Sequence, residues 1–141
     1  MTLGAAPWWV LAAAAVLGLP ACGAGESGAL ETDLAPSFAE LEGDVFGKRC
    51  AFSACHGEVA PRQGMSLMPG SAYDNIVNQP STEAPELLRV KPGDPEGSYL
   101  FQKLSLPTPA RGERMPPGQP LEPEVLAAVR SWIAAGAAAE P

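Results

Sequence analysis

Apolar side chains fall into separate runs along this chain, and the spacing within each run differs. Residues 8–19, WWVLAAAAVLGL, are apolar on every side, yet too short to cross a bilayer, which takes about 20 residues. The next run is amphipathic. Phe38, Leu41 and Val45 recur at helical spacing, and Ser37-Phe38-Ala39-Glu40 reads as a capping box, in which a serine hydroxyl and a glutamate carboxylate each satisfy an amide of the first turn. This predicts a helix over 38–49 that ends at Cys50. Ser71 is placed to cap a short helix over 72–79, AYDNIVNQ. Asp94-Pro95 reads as an N-cap followed by proline at the first helical position, opening a helix that carries Tyr99, Leu100, Lys103 and Leu104. A last helix is expected from Pro123, with Val125, Val129, Trp132 and Ile133 on one face and Gly136 just past its end. No stretch reads convincingly as a strand. The pattern predicts a small all-α domain of about four short helices, joined by long Pro/Gly-rich loops at 57–70 and 105–120. The first and last helices have no other large apolar surface to cover, so Trp132 and its neighbours are expected against Phe38, Leu41, Val45 or Phe46.

The apolar run at the start is followed by Leu19-Pro20-Ala21-Cys22. A short uncharged apolar segment ending in small residues marks a secretory signal peptide, and Leu-x-Ala-Cys resembles the lipobox of bacterial lipoproteins. The resemblance implies cleavage before Cys22 and diacylation of its thiol; a plain secretory peptide with Cys22 merely nearby is the other reading. Residues 1–21 are then the signal peptide. Residues 22–36 are the lipidated cysteine with a flexible acidic tether, and 37–138 the folded domain. The fourteen tether residues after Cys22 reach roughly 20 Å on average and about 48 Å at most. Gly23 in place of an aspartate favours, by the same resemblance, the outer over the inner membrane.

Composition narrows the function. Acidic residues outnumber basic ones 16 to 9, a net charge of -7, which repels phosphate backbones and argues against nucleic acid as a partner. Aromatics are 6% of the chain, against 15 glycines and 16 prolines. So loop-rich a domain is marginal on hydrophobic burial alone and calls for a disulfide, a metal or a cofactor.

The cysteines supply a candidate. Cys50-Ala-Phe-Ser-Ala-Cys55-His56-Gly57 holds two thiols, with the only histidine of the chain directly after the second. Covalent haem needs two thiols to add to its vinyl groups and an imidazole beside the second thiol to meet the iron. C-x-x-C-H provides this; here the spacer has four residues and must bulge outward. Three other readings compete. Cys50 and Cys55 could form a disulfide in an oxidising compartment. The pair could join His56 on zinc, although no second pair follows downstream. A Cys/His catalytic dyad lacks an orienting partner.

If haem is held, a thioether is the natural second axial ligand. Met115, in Arg114-Met115-Pro116-Pro117-Gly118, lies far enough along the chain to reach the opposite face, and its prolines stiffen the loop. Met68-Pro69 is the rival, and Met65 is read as core packing. Arg89, Arg111 and Arg114 are candidates to pair with haem propionates.

The order of features resembles a class I cytochrome c: a helix with Phe46 four residues before Cys50, then Cys…Cys-His-Gly, a Met-Pro loop, and a C-terminal helix. More closely, it is similar to cytochrome c-like domains abundant in planctomycetes and myxobacteria. The matching segments are Tyr73-Asp74-Asn75-Ile76-Val77, Val90 to Leu100 (VKPGDPEGSYL), Met115-Pro116-Pro117-Gly118 and Trp132-Ile133-x-x-Gly136. The resemblance covers about residues 38–136 and implies one covalent haem c on Cys50, Cys55, His56 and Met115, with His56 and Met115 on the iron. It implies an electron carrier rather than an enzyme, facing the periplasm from a lipid anchor. Its net charge points to redox partners with a basic docking face. Cys22→Ser should release the protein from membranes into the soluble fraction or block its processing; a variant that fractionates like the wild type rules out Cys22 as the acylated residue.

Overall fold

The computed structural model describes residues 35–140, together with Met1. The signal peptide, Cys22 and nearly all of the tether lie outside the described residues. The architecture is helical and no sheet is formed among the described residues; strand-like pairing is confined to isolated bridges at Val77–Val90 and Pro80–Leu88. No helix among them is long and apolar enough to cross a membrane.

Helix α1 begins where the capping box places it. Ser37 Oγ accepts from the Glu40 amide at 3.3 Å, and the Glu40 carboxylate accepts from the Ser37 amide at 2.8 Å. The rod continues through three consecutive stretches: α-helical at Phe38–Leu41, π-helical at Glu42–Phe46 and α-helical again at Gly47–Arg49. A π turn holds more residues than an α turn and shifts the phase of everything after it. Phe38, Leu41, Val45 and Phe46 are all buried, and Cys50 follows as the C-cap. Gly47 has a specific duty: a Cβ there would lie 2.9 Å from the Glu42 carbonyl and 3.3 Å from Pro69 Cγ. Its bare backbone lets the Met68-Pro69-Gly70 turn rest on α1, and the Gly70 amide donates to the Glu42 carboxylate at 2.9 Å.

Two helices depart from the sequence expectation. Helix α2 spans only Ala72–Ile76. Val77 turns extended to bridge Val90, so the helix stops three residues short. Ser71 does not cap it; its hydroxyl donates to the Met68 carbonyl at 3.1 Å. Helix α3 is Tyr99–Ser105 with Ser98 as N-cap, later than Asp94-Pro95 predicts. Asp94 instead closes a tight turn: its Oδ1 accepts from the Gly97 amide at 2.8 Å, and its carbonyl accepts from Ser98 Oγ at 2.8 Å. The side-chain acceptor that would cap a helix is consumed by the preceding turn.

Helix α4, Pro123–Ala134, has proline at N1 as expected. It ends in a Schellman motif: Gly136 N donates to Ile133 O at 3.0 Å and Ala137 N to Trp132 O at 2.9 Å, with Gly136 at φ 107°. Beyond the cap the chain is tied down by Tyr73 Oη, which donates to the Ala137 carbonyl, and Trp132 Nε1, which donates to the Ala138 carbonyl.

Helix α4 packs on α1 as the apolar faces predict. The Phe38 and Trp132 rings lie 5.3 Å apart, and Tyr73 meets Phe38 edge-on at 5.1 Å. Ile76, Val90, Val129 and Ile133 fill the space behind them with no exposed surface. Trp132→Ala should cost roughly 3–5 kcal/mol, the range for deleting a buried aromatic. Urea unfolding checks this, with exposed Arg130→Ala as a control expected within about 0.5 kcal/mol of wild type.

Candidate functional site

Bordering the aromatic cluster at Phe46, the chain wraps a cavity of about 510 Å³, within the roughly 300–1,000 Å³ of small-molecule sites. Its lining brings together residues that lie far apart in sequence: Cys50, Cys55 and His56 from the turn after α1, Met115 from the loop before α4, and Leu100 and Leu104 from α3. Phe46, Met65 and Leu67 complete the apolar wall.

The four-residue spacer does bulge outward. The Phe52 carbonyl accepts from the Cys55 amide at 2.8 Å and the Gly57 amide at 3.0 Å, folding the spacer into a turn that leaves the Phe52 ring exposed. Gly57 makes this possible: a Cβ there would stand 3.0 Å from the Phe52 carbonyl oxygen and from Ser53 Cα. The neighbouring loop braces the turn, as Arg62 N donates to Cys55 O at 2.8 Å and Arg62 Nε to Ala54 O at 3.2 Å. Both cysteines are free thiols. Burial, with a smaller contribution from nearby Cys55, pushes the Cys50 thiol up to about 11, so it is protonated at neutral pH.

His56 is fixed at both its backbone and its ring. Its amide donates to Cys50 O at 3.2 Å, and its carbonyl accepts from Leu67 N at 2.8 Å. Nδ1 lies 3.0 Å from the Met65 carbonyl. A carbonyl only accepts, so Nδ1 carries the proton and the neutral ring keeps its lone pair on Nε2. Burial lowers the imidazole below its ordinary value, against the opposing backbone bonds of Met65 and Arg62. The result is a neutral, oriented imidazole with a free-electron-pair nitrogen, the form that binds metals.

The methionines separate cleanly. Met115 lines the cavity, and its amide donates to the Lys103 carbonyl at 2.7 Å, tying the loop to α3. Met68 is not part of the lining; its carbonyl accepts from the Ser71 and Ala72 amides, and Pro69 is seated on Gly47. Met65 packs on the core as expected, but it also lines the cavity, on the segment that holds the His56 ring.

Of the three arginines marked for anionic groups, only Arg89 lines the cavity. Its guanidinium donates to the Asn75 carbonyl at 2.7 Å and the Gln63 carbonyl at 2.9 Å, so it is held without losing its charge. Arg111 is turned outward to Glu86. Arg114 donates to the Gly118 carbonyl, and its buried Nε has no hydrogen-bond partner. Sequence reasoning missed Arg49, Arg62 and Lys103 on the cavity wall. Lys103 carried a signal: it stands in the apolar stripe of α3, four residues after Tyr99. With Glu83 and Glu113 as the only carboxylates in the lining, the cavity is cationic in an otherwise acidic chain.

No family profile, curated protein or solved structure matches this chain. Among the described residues no group of three His, Cys, Asp or Glu is arranged to hold a metal ion. With its thiol at about 11, only about one Cys50 in a thousand is a thiolate at pH 8. Iodoacetamide should therefore label Cys50 slowly in the folded thiol form and much faster in urea, as read by peptide mass spectrometry. Equal rates in both states would contradict the burial of this thiol.

Proposed function

We propose that this chain is a single-haem c-type cytochrome, a one-electron carrier of the cytochrome c-like type, working in the periplasm from a lipid anchor at Cys22. The observation that supports it most is the convergence of Cys50, Cys55 and His56, from one turn, and Met115, from a loop far along the chain, on one cavity. The donor set fits haem c: two thiols for covalent attachment, a neutral imidazole and a thioether for the iron, apolar walls for the ring and a held cation, Arg89, for its carboxylates. One-electron exchange between ferric and ferrous iron is the chemistry a bound haem supplies.

The protein's own residues set the conditions for it. The Met65 carbonyl fixes the tautomer and plane of the His56 ring. Phe46, Leu67, Leu100 and Leu104 give the cavity an apolar wall, and apolar surroundings with a thioether ligand would raise the reduction potential of a bound haem. Pro116 and Pro117 limit the freedom of the Met115 loop, which a weak ligand needs because it contributes little bond energy to order it. The net charge of -7 favours redox partners with a basic docking face.

Expression in a host competent for cytochrome c maturation should give a red protein whose Soret band sharpens and shifts on reduction. A colourless, well-folded domain overturns the proposal in favour of a haem-free binding module stapled by a Cys50–Cys55 disulfide. In the red protein, Met115→Ala should abolish the far-red sulfur-to-iron charge-transfer band and leave the thioether links intact, whereas Met68→Ala should leave the band in place. The reverse pattern would move the sixth ligand to the 57–70 loop.

A further inference from the structure

The loop that carries Met115 has little of its own to hold it. Residues 106–118 form no helix, and most of their side chains are exposed. The loop is fastened at a few points, and several of them converge on a polar cluster in the cavity wall. Tyr99 Oη sits between the Glu83 carboxylate, at 2.5 Å, and the Arg111 carbonyl, at 2.8 Å, its one proton shared between two acceptors. Lys103 Nζ donates to the same Glu83 oxygen at 2.8 Å and reaches the Arg111 carbonyl at 3.3 Å. Gly112 follows at φ 63°, so close that a Cβ there would collide with the Glu83 carboxylate and the Lys103 ammonium. Three residues later, the Met115 amide donates to the backbone of Lys103 itself.

The cluster is built rather than incidental. Lys103 is buried, and its ammonium also lies 5.5 Å over the Tyr99 ring. Tyr99 and Lys103 stand one turn apart on α3. Glu83 comes from a separate segment, whose own turn is fixed by Ser81 Oγ accepting from the Glu83 and Ala84 amides. A buried ion pair costs desolvation unless its remaining hydrogen bonds are satisfied. Here Lys103 is buried while the Glu83 carboxylate stays partly exposed, and the Arg111 carbonyl supplies the ammonium with its second acceptor, a partner it has only when residue 111 is seated.

We propose that Tyr99, Lys103 and Glu83 form a clip that seats the 106–118 loop at the cavity wall and thereby positions Met115. The inference rests on Met115 as the axial ligand; the three clip residues act through the loop and are positioning residues.

The test uses Tyr99→Phe and Glu83→Gln, which keep shape, with Lys48→Gln at the exposed Lys48–Asp44 pair of α1 as control. In the full chain, with or without haem, both variants should speed amide hydrogen exchange of residues 106–118 and peroxide oxidation of Met115 by about tenfold, as expected for losing one hydrogen bond. Met65 oxidation and the control should stay unchanged. In the haem-bearing protein, imidazole should displace the thioether at about tenfold lower concentration. Unchanged exchange and oxidation overturn the clip whatever the colour of the protein. Faster exchange with unchanged imidazole affinity overturns its role in placing Met115. Faster exchange in a colourless protein supports the clip while removing the haem reading.

Discussion

The contact between Phe38 and Trp132 joins the first helix of the domain to the last, and the remaining chain is organised by that closure. The domain has few aromatic side chains to bury, and Phe38, Phe46, Tyr73 and Trp132 are gathered into one cluster. The ends are fixed there, with the Schellman cap and Tyr73 tying down residue 137, and the segment between Cys50 and Leu121 leaves the cluster, returns to it at Tyr73 and Ile76, and leaves again before α4. The middle of the chain gives Ile76 and Val90 to the packed core there and sets Leu67, Leu100 and Leu104 along the cavity wall. The cavity and the aromatic cluster meet at Phe46, which packs near Phe38 and also lines the cavity.

The wrapping segments are held by polar contacts where apolar ones are lacking. Arg89 holds the backbone at Gln63 and Asn75 together, Arg62 braces the spacer, and the Lys103–Glu83 pair closes on Arg111. Each of these links loops to one another or to a helix, and each does so on the cavity wall. Arg62 and Arg89, which hold the walls, also give the cavity its excess of positive charge, so the same side chains serve the scaffold and set the electrostatics of the interior.

The sequence made legible whatever was encoded within a turn or two of the chain. The capping box at Ser37 and Glu40, proline at the head of α4 and Gly136 at its foot are local devices, and each forms as read. The facing of Trp132 and Phe38 was also legible, because two apolar stripes had no alternative partner. What escaped was decided by distant contacts. Asp94 caps a turn instead of a helix because Ser98 folds back onto its carbonyl; α2 ends early because Val77 pairs with Val90; the π turn in α1 has no signature in the residue pattern. Met68 and Met115 look alike in sequence, each followed by proline. Only the seating of Pro69 on Gly47 explains why one stays outside the cavity. Lys103 was read as part of a helix face, and its burial depends on Glu83, a residue outside any helix.

The hollow also bears on how long a molecule of this protein survives. An interior of about 510 Å³ carries the apolar side chains of Phe46, Leu67, Leu100 and Leu104 on its wall. A group held there by covalent links to Cys50 and Cys55 would stay with the chain when it unfolds, so it would add stability through the apolar surface it covers in the folded state and not by mass action. Chains that remain unfilled open more often and are the ones proteases reach. Turnover in the cell would then discriminate between loaded and unloaded copies with no dedicated receptor, and the abundance of the protein would follow the supply of whatever occupies its interior.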